Sequence, residues 1–450
     1  MKTTKDGFPR WRRKNRTKAK VVAALLAGLL LGANAAHSLD AIWSLNPIAG
    51  DNFNNPGNWL PPVVPTDTAF FGFTNGRSPL IMANTTLSQI LFTGLAPSYS
   101  IGVFGPNTLE LNGGGIANSS SNNQVIVVLA GGTLTFANDS TAGNNTIGYS
   151  NRGGTINFNN SSAGSANFEN ESNGTITFLN GHAGNAIISN NFGAATITFE
   201  GASSADSATI NNFTTAGGGS IIFTGTSTAG NAAITNFTAN DFITFEGTSS
   251  AGSATITTDS GSTINFTGAS TGSQARFIVN SGGVFDMSAL TTAGMTAGSI
   301  EGAGTYNLGS KELIVGLNDL STQVSGVIAD GGASGGTGGS IVKVGTGTLT
   351  LLGTNTYSGG TSFIGGVLAI ERDANLGTGP LSFDGGTLEA LAAGGGITSA
   401  KAVTLNALGG TFLADAGTAS VLSGLIAGTG SFTKAGPRSQ RDPRARDRWP

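Results

Sequence analysis

The sequence predicts an all-β protein, a right-handed parallel β-helix or solenoid built from coils of about 21 residues. Three observations predict it. A short apolar-Thr-Phe run returns from Leu134-Thr135-Phe136 through Ile156-Asn157-Phe158 and Ile176-Thr177-Phe178 to Ile264-Asn265-Phe266, its phenylalanines 22, 20, 21, 24, 22 and 21 residues apart. Each run is rich in β-branched and aromatic residues and is too short to be a helix. After a small-residue corner such as Ala183-Gly184-Asn185-Ala186, a second apolar column follows, read as Ile147, Phe168, Ile188, Ile210, Ile234, Ile256 and Phe277. Two residues beyond that column stand Asn170, Asn190, Asn212 and Asn236, whose amides one rung apart can hydrogen-bond along the axis. Phe158, Phe178, Phe199, Phe223, Phe245 and Phe266 are expected to stack in the first column in the same way.

Taken in order, residues 1–36 read as a signal peptide. A basic region from Lys2 to Lys20 precedes the apolar run Val21 to Leu31, and Ala33-Asn34-Ala35 is a small-x-small cleavage pattern that places the cut after Ala35 or Ala36. Export would bring the chain to an oxidising compartment, yet it contains no cysteine, so its stability has to come from stacking alone. Residues 37–125 read as a capping segment and first coils. Trp43, Trp59 and the prolines from Pro61 to Pro65 suit the cover that an open, apolar first coil requires. A sugar-binding aromatic platform is the sharper alternative for the tryptophans.

The regular repeats occupy 126–329. A Gly-rich loop or hinge follows at 330–340, without the Lys-Ser or Lys-Thr that a phosphate-cradling loop needs. Residues 341–437 form a last set of coils, and 438–450 a disordered basic tail. Nine of the 22 Lys and Arg precede Val21 and five follow Pro437, so the body keeps 8 basic and 22 acidic residues, a balance of −14. Such a surface does not suit nucleic acid.

The run Gly345-Thr346-Gly347-Thr348-Leu349-Thr350-Leu351-Leu352-Gly353-Thr354-Asn355-Thr356-Tyr357-Ser358-Gly359-Gly360-Thr361 resembles the autotransporter-associated β-strand repeat. Its usual continuation follows as Gly366-Val367-Leu368, Leu376-Gly377-Thr378-Gly379-Pro380-Leu381 and Gly385-Gly386-Thr387-Leu388. The opening from Ala41-Ile42-Trp43 to Asp67-Thr68-Ala69 is similar to the start of bacterial autotransporter passengers. The resemblance implies a secreted, surface-exposed passenger that makes contact with a host or neighbouring cell. A β-helix enzyme acting on polysaccharide and a surface-layer component are the rival readings.

The family ends in a translocator β-barrel, whereas here the composition switches at Arg438 to five Arg, two Asp and two Pro in thirteen residues. A change of reading frame, with a periplasmic product, is the expectation for the chain as it stands.

No enzyme chemistry is expected. Asp259-Ser260-Gly261-Ser262 looks like a nucleophile string but occupies a repeat corner, and the only histidines, His37 and His182, sit at the cleavage region and in another corner. Glu169 and Glu171, and the turn Glu371-Arg372-Asp373, offer too few oxygens for Ca²⁺. No cofactor and no metal site follow from these residues.

Overall fold

The computed structural model describes residues 39–44, 50–74, 78–214 and 217–436. The signal-peptide reading with Ala35 and Ala36, and the basic tail from Arg438, fall outside the described residues. The rest is a parallel β-solenoid with coils of about 22 residues, its strands joined by tight corners and interrupted only by short 3-10 turns.

Two long sheets run along the axis. The first has 15 strands and extends from the N-terminal cap to Val327–Ala329, and the second has 11, from Leu80–Ile81 to Ser299–Glu301. Within the repeats each coil contributes one strand to each sheet, as Thr175–Leu179 and Ile187–Phe192 do. A third line of contact joins the coils at a corner, where single parallel bridges link Ser162 to His182 and His182 to Ser204. From Gly294 onward the stack continues as a seven-stranded and a six-stranded sheet, which end with Ile426–Gly428 and Phe432–Ala435.

Strand formation follows from the alternation. In Thr196–Glu200, Ile197 and Phe199 are buried while Thr198 faces out, and the same inside-outside pattern holds in the strands above and below. One coil cannot bury its apolar side alone, so Ile176 pairs with Ile197 and Phe178 with Phe199 in strict register. The phenylalanine file from Phe136 to Phe266 is completely buried. Neighbouring rings are 4.6–5.0 Å apart and tilted by only 4–8°. Ordinary sheets rotate each strand by about 20–25° against the next, so this stretch is unusually flat.

The second column differs from its expected reading at one place. Tyr149, not Ile147, pairs with Phe168, and their rings stack at 4.5 Å. Ile147 is buried too, but it pairs with Gln124 one step earlier. The tyrosine fits inside because its hydroxyl donates to the carbonyl of Ala142 at 2.7 Å.

At the N-terminal end the strand Trp59–Leu60 runs antiparallel to Ala41–Trp43 and closes the sheet edge. Trp43, Phe53, Trp59 and Phe71 pack ring against ring, with Trp43 and Trp59 at 5.0 Å. Trp43 is 1% and Trp59 2% exposed. The tryptophans therefore plug the first coil, and the alternative of a sugar-binding platform fails because no indole face is open.

Replacing Phe199 by Ala is expected to cost about 3–5 kcal/mol, because the rungs on either side hold the backbone fixed and leave a cavity. Thr198→Ala should stay within about 0.5 kcal/mol. Urea unfolding of the two variants checks this, and equal destabilisation would reject the inside-outside assignment.

Candidate functional site

The most ordered polar arrangement lies inside the coil. Asn151, Asn170, Asn190, Asn212 and Asn236 lie at or near the C-terminal ends of successive strands of the second sheet with their side chains fully buried. Each Nδ2 donates to the Oδ1 of the next asparagine, at 2.8, 2.9, 3.0 and 3.0 Å. The other amide proton crosses to the first sheet, from Asn151 to the carbonyl of Thr175 and from Asn170 to that of Thr196, both at 3.1 Å. The ladder thus locks the corner between the two sheets, and it leaves Asn151 Oδ1 without a partner at its open end. At the far end Asn236 pairs with Thr258, whose hydroxyl turns to Ser262 at 2.9 Å.

The residues that could suggest catalysis are placed apart. His182 is exposed in the corner leading from the first sheet to the second, with Nδ1 3.3 Å from Asp206 Oδ1. That carboxylate also accepts the Gly184 N–H at 2.9 Å. An open, polar depression at this corner is lined by Asp139, Asn160, Ser162 and His182. Ser260 is exposed in the opposite corner, from the second sheet back to the first, three coils further on. Ser262 is buried there and donates to the Asp259 carbonyl at 2.6 Å, which is a turn contact. Glu171 faces Arg152 at 3.8 Å, and Asp373 binds Lys401 at 2.6 Å. Among the described residues no three His, Asp or Glu side chains group in a way that could hold a metal ion.

The junction after the regular repeats carries the groups that sequence reasoning missed. The Gly-rich segment folds back over the first sheet, where Asp286 accepts the Ala333 N–H at 2.7 Å and Ser288 Oγ accepts the Ser334 N–H at 3.0 Å. On its other side, burial acts to raise the Asp330 pKa, but donors from Ser358, Gly338 and Gly339 outweigh it and hold the carboxyl below its ordinary range. The loop is therefore pinned at both ends of its span.

One coil further, Lys343 stands in an inward column between Val315 and Phe363 and is 2% exposed. Its ammonium donates to the Val344 carbonyl at 2.6 Å and to that of Gly365 at 3.4 Å. Glycine makes the room, since a Cβ on Gly366 would lie 2.8 Å from Nζ. Desolvation brings the lysine down to about 8, against a smaller opposing pull from Asp319. In the coils beyond, Asn355 Nδ2 donates to the Asn375 carbonyl at 2.6 Å and Asn375 Nδ2 to that of Gly353 at 2.7 Å, a second internal amide lock.

A parallel stack with an internal ladder and a plugged first coil defines a β-solenoid repeat protein. Its relatives narrow the class. Residues 341–370, which hold Lys343, Asn355 and the strands Thr348–Leu351 and Gly360–Phe363, match the Passenger-associated-transport-repeat. Over 98 residues, 21% of this chain, the sequence is 41% identical to the Adhesin BmaC autotransporter of Brucella suis biovar 1 (strain 1330). That alignment spans 3% of the adhesin's length. No solved structure matches the chain. The chain thus carries an autotransporter passenger-type repeat within its stack.

Two outcomes follow. Asn190→Leu should cost more than Asn151→Leu, because it orphans buried groups on both neighbouring rungs at about 1–3 kcal/mol each, whereas Asn151 is bonded on one side only. Urea midpoints decide the order. For Lys343 the folded pKa of about 8 lies below its ordinary 10.5, so the unfolded chain binds more protons between these values. Stability should rise with pH across that window, and in Lys343→Met that rise should be missing from chemical denaturation at pH 7.5 to 10.5.

Proposed function

We propose that this chain is displayed at the bacterial surface as an adhesin-like passenger, its solenoid presenting long faces to a host or neighbouring cell. The observation that carries the reading is the passenger repeat at 341–370, which is built into the stack and pairs in register with the coils on both sides. The local identity to an autotransporter adhesin supports the same role. Export through a signal peptide cleaved at Ala35 or Ala36 is part of the proposal, as is an adhesive rather than enzymatic role. Neither rival reading has a specific observation in its favour. A polysaccharide-cleaving β-helix needs converging carboxylates and a base, and the described residues place His182, Ser260 and the acids on separate corners and coils.

Intact cells of the producing bacterium provide the test. External protease should remove the chain without permeabilising the outer membrane, and deleting its gene should lower attachment to cells several-fold. Protection from protease until the envelope is opened, with attachment unchanged by the deletion, would reject a surface role.

A further inference from the structure

The outward side of the flat part of the first sheet carries two straight columns of small hydroxyl side chains. Seven strands from Thr133–Ala137 to Thr263–Gly268 contribute, each with one outward residue on either side of a buried Ile or Leu. The pairs Thr133 and Thr135, Thr175 and Thr177, and Thr196 and Thr198 are the most regular. Of these fourteen positions ten are Thr or Ser and two are Asn, with Ile222 and Phe242 the interruptions. None is charged, although the body of the chain is acidic. Carboxylates border the neutral strip, Glu110 opposite Thr135 and Asp286 opposite Asn265 at its ends, and Glu200 and Glu246 along the edge just beyond the phenylalanines.

We propose that this face binds crystalline ice. The ring file beneath it fixes the geometry, because rings tilted by 4–8° and spaced 4.6–5.0 Å leave little twist to fan the columns apart. Along a strand, alternate residues are about 6.6–6.8 Å apart. The hydroxyls therefore form a two-dimensional lattice, close along the axis to the oxygen spacing on a prism face of ice and about a tenth short of it along the strands. Thr175 Oγ1 donates to Thr155 Oγ1 at 3.2 Å, which holds this pair of hydroxyls in place. Each threonine adds a hydrogen-bonding hydroxyl to a methyl group, which orders water without gripping it as an ion does. An uncharged solid is the surface that a neutral strip on an acidic protein complements. The proposal does not depend on the export route or on the adhesive reading.

The purified full chain is frozen slowly from dilute solution, and its concentration in the ice is compared with that in the remaining liquid. Enrichment in ice and faceting of seed crystals are expected. Thr177→Lys with Thr198→Lys should abolish both while circular dichroism and melting temperature hold; Thr177→Lys alone serves if the pair lowers the melting temperature. Thr235→Lys with Thr257→Lys, on the second sheet, should leave both intact. Exclusion of the wild type from ice, or lysine variants that bind like the wild type, overturns the proposal. Self-association lost in the first-sheet variants, with no ice enrichment in the wild type, would assign the face to a second copy instead and overturn it too.

Discussion

Everything in this molecule depends on in-register parallel pairing, which places each residue about 4.8 Å from its counterpart one coil away. A column is stable only if its residue tolerates a copy of itself above and below. Phenylalanine does, by ring stacking beyond simple burial, and Phe178, Phe199 and Phe223 show it at 4.7 Å. Asparagine does because one amide both donates and accepts, so Asn170, Asn190 and Asn212 extend a chain of bonds without leaving a group unpaired. A buried charge does not, since like charges at that spacing repel and neither is hydrated. Lys343 fits this rule by standing alone: its column neighbours are Val315 and Phe363, and its ammonium reaches sideways to carbonyls.

The same constraint explains what could be read from the sequence. The parallel solenoid was legible because a strict column must reappear as a period, and Phe158 to Phe266 and Asn170 to Asn236 do so. The passenger repeat was legible from its own residues, Gly345 to Thr361. Tyr149 was not, because the first apolar residue in the strand Ile147–Arg152 is not the one that joins the column. Asn151 was hidden for the same reason, one register step away from the apolar residue used to count. Lys343, Asp286 and Asp330 carry no periodicity at all. Their roles arise where coils of one cross-section meet coils of another, and only the folded chain brings Ala333 to Asp286 across 47 residues.

The coils around the passenger repeat reach the same end by another arrangement. Asn355 and Asn375 sit in turns rather than at strand ends, and they satisfy backbone carbonyls instead of each other's side chains. Asn355 also accepts the Ile328 N–H at 2.8 Å, so one amide ties three successive coils. Buried amides at the corners are thus common to both halves, while the specific ladder is not.

A fold that stacks like on like has a consequence for what it can do. Catalysis needs unlike groups, a nucleophile, a base and a charge stabiliser, converging within hydrogen-bond reach of one point. In the regular coils the residues of one column are mostly alike, and unlike groups meet in pairs, as His182 and Asp206 do. His182 and Ser260 do not meet, for each belongs to a corner line that passes along the axis on its own side. Unlike polar groups do meet at the junction, Asp286 and Ser288 on one side of the Gly-rich segment and Asp330 and Ser358 on the other, but they are occupied in holding that segment. What the architecture produces without further specialisation is extent: the same short pattern presented many times along one straight face, suited to a partner that is itself extended and repetitive.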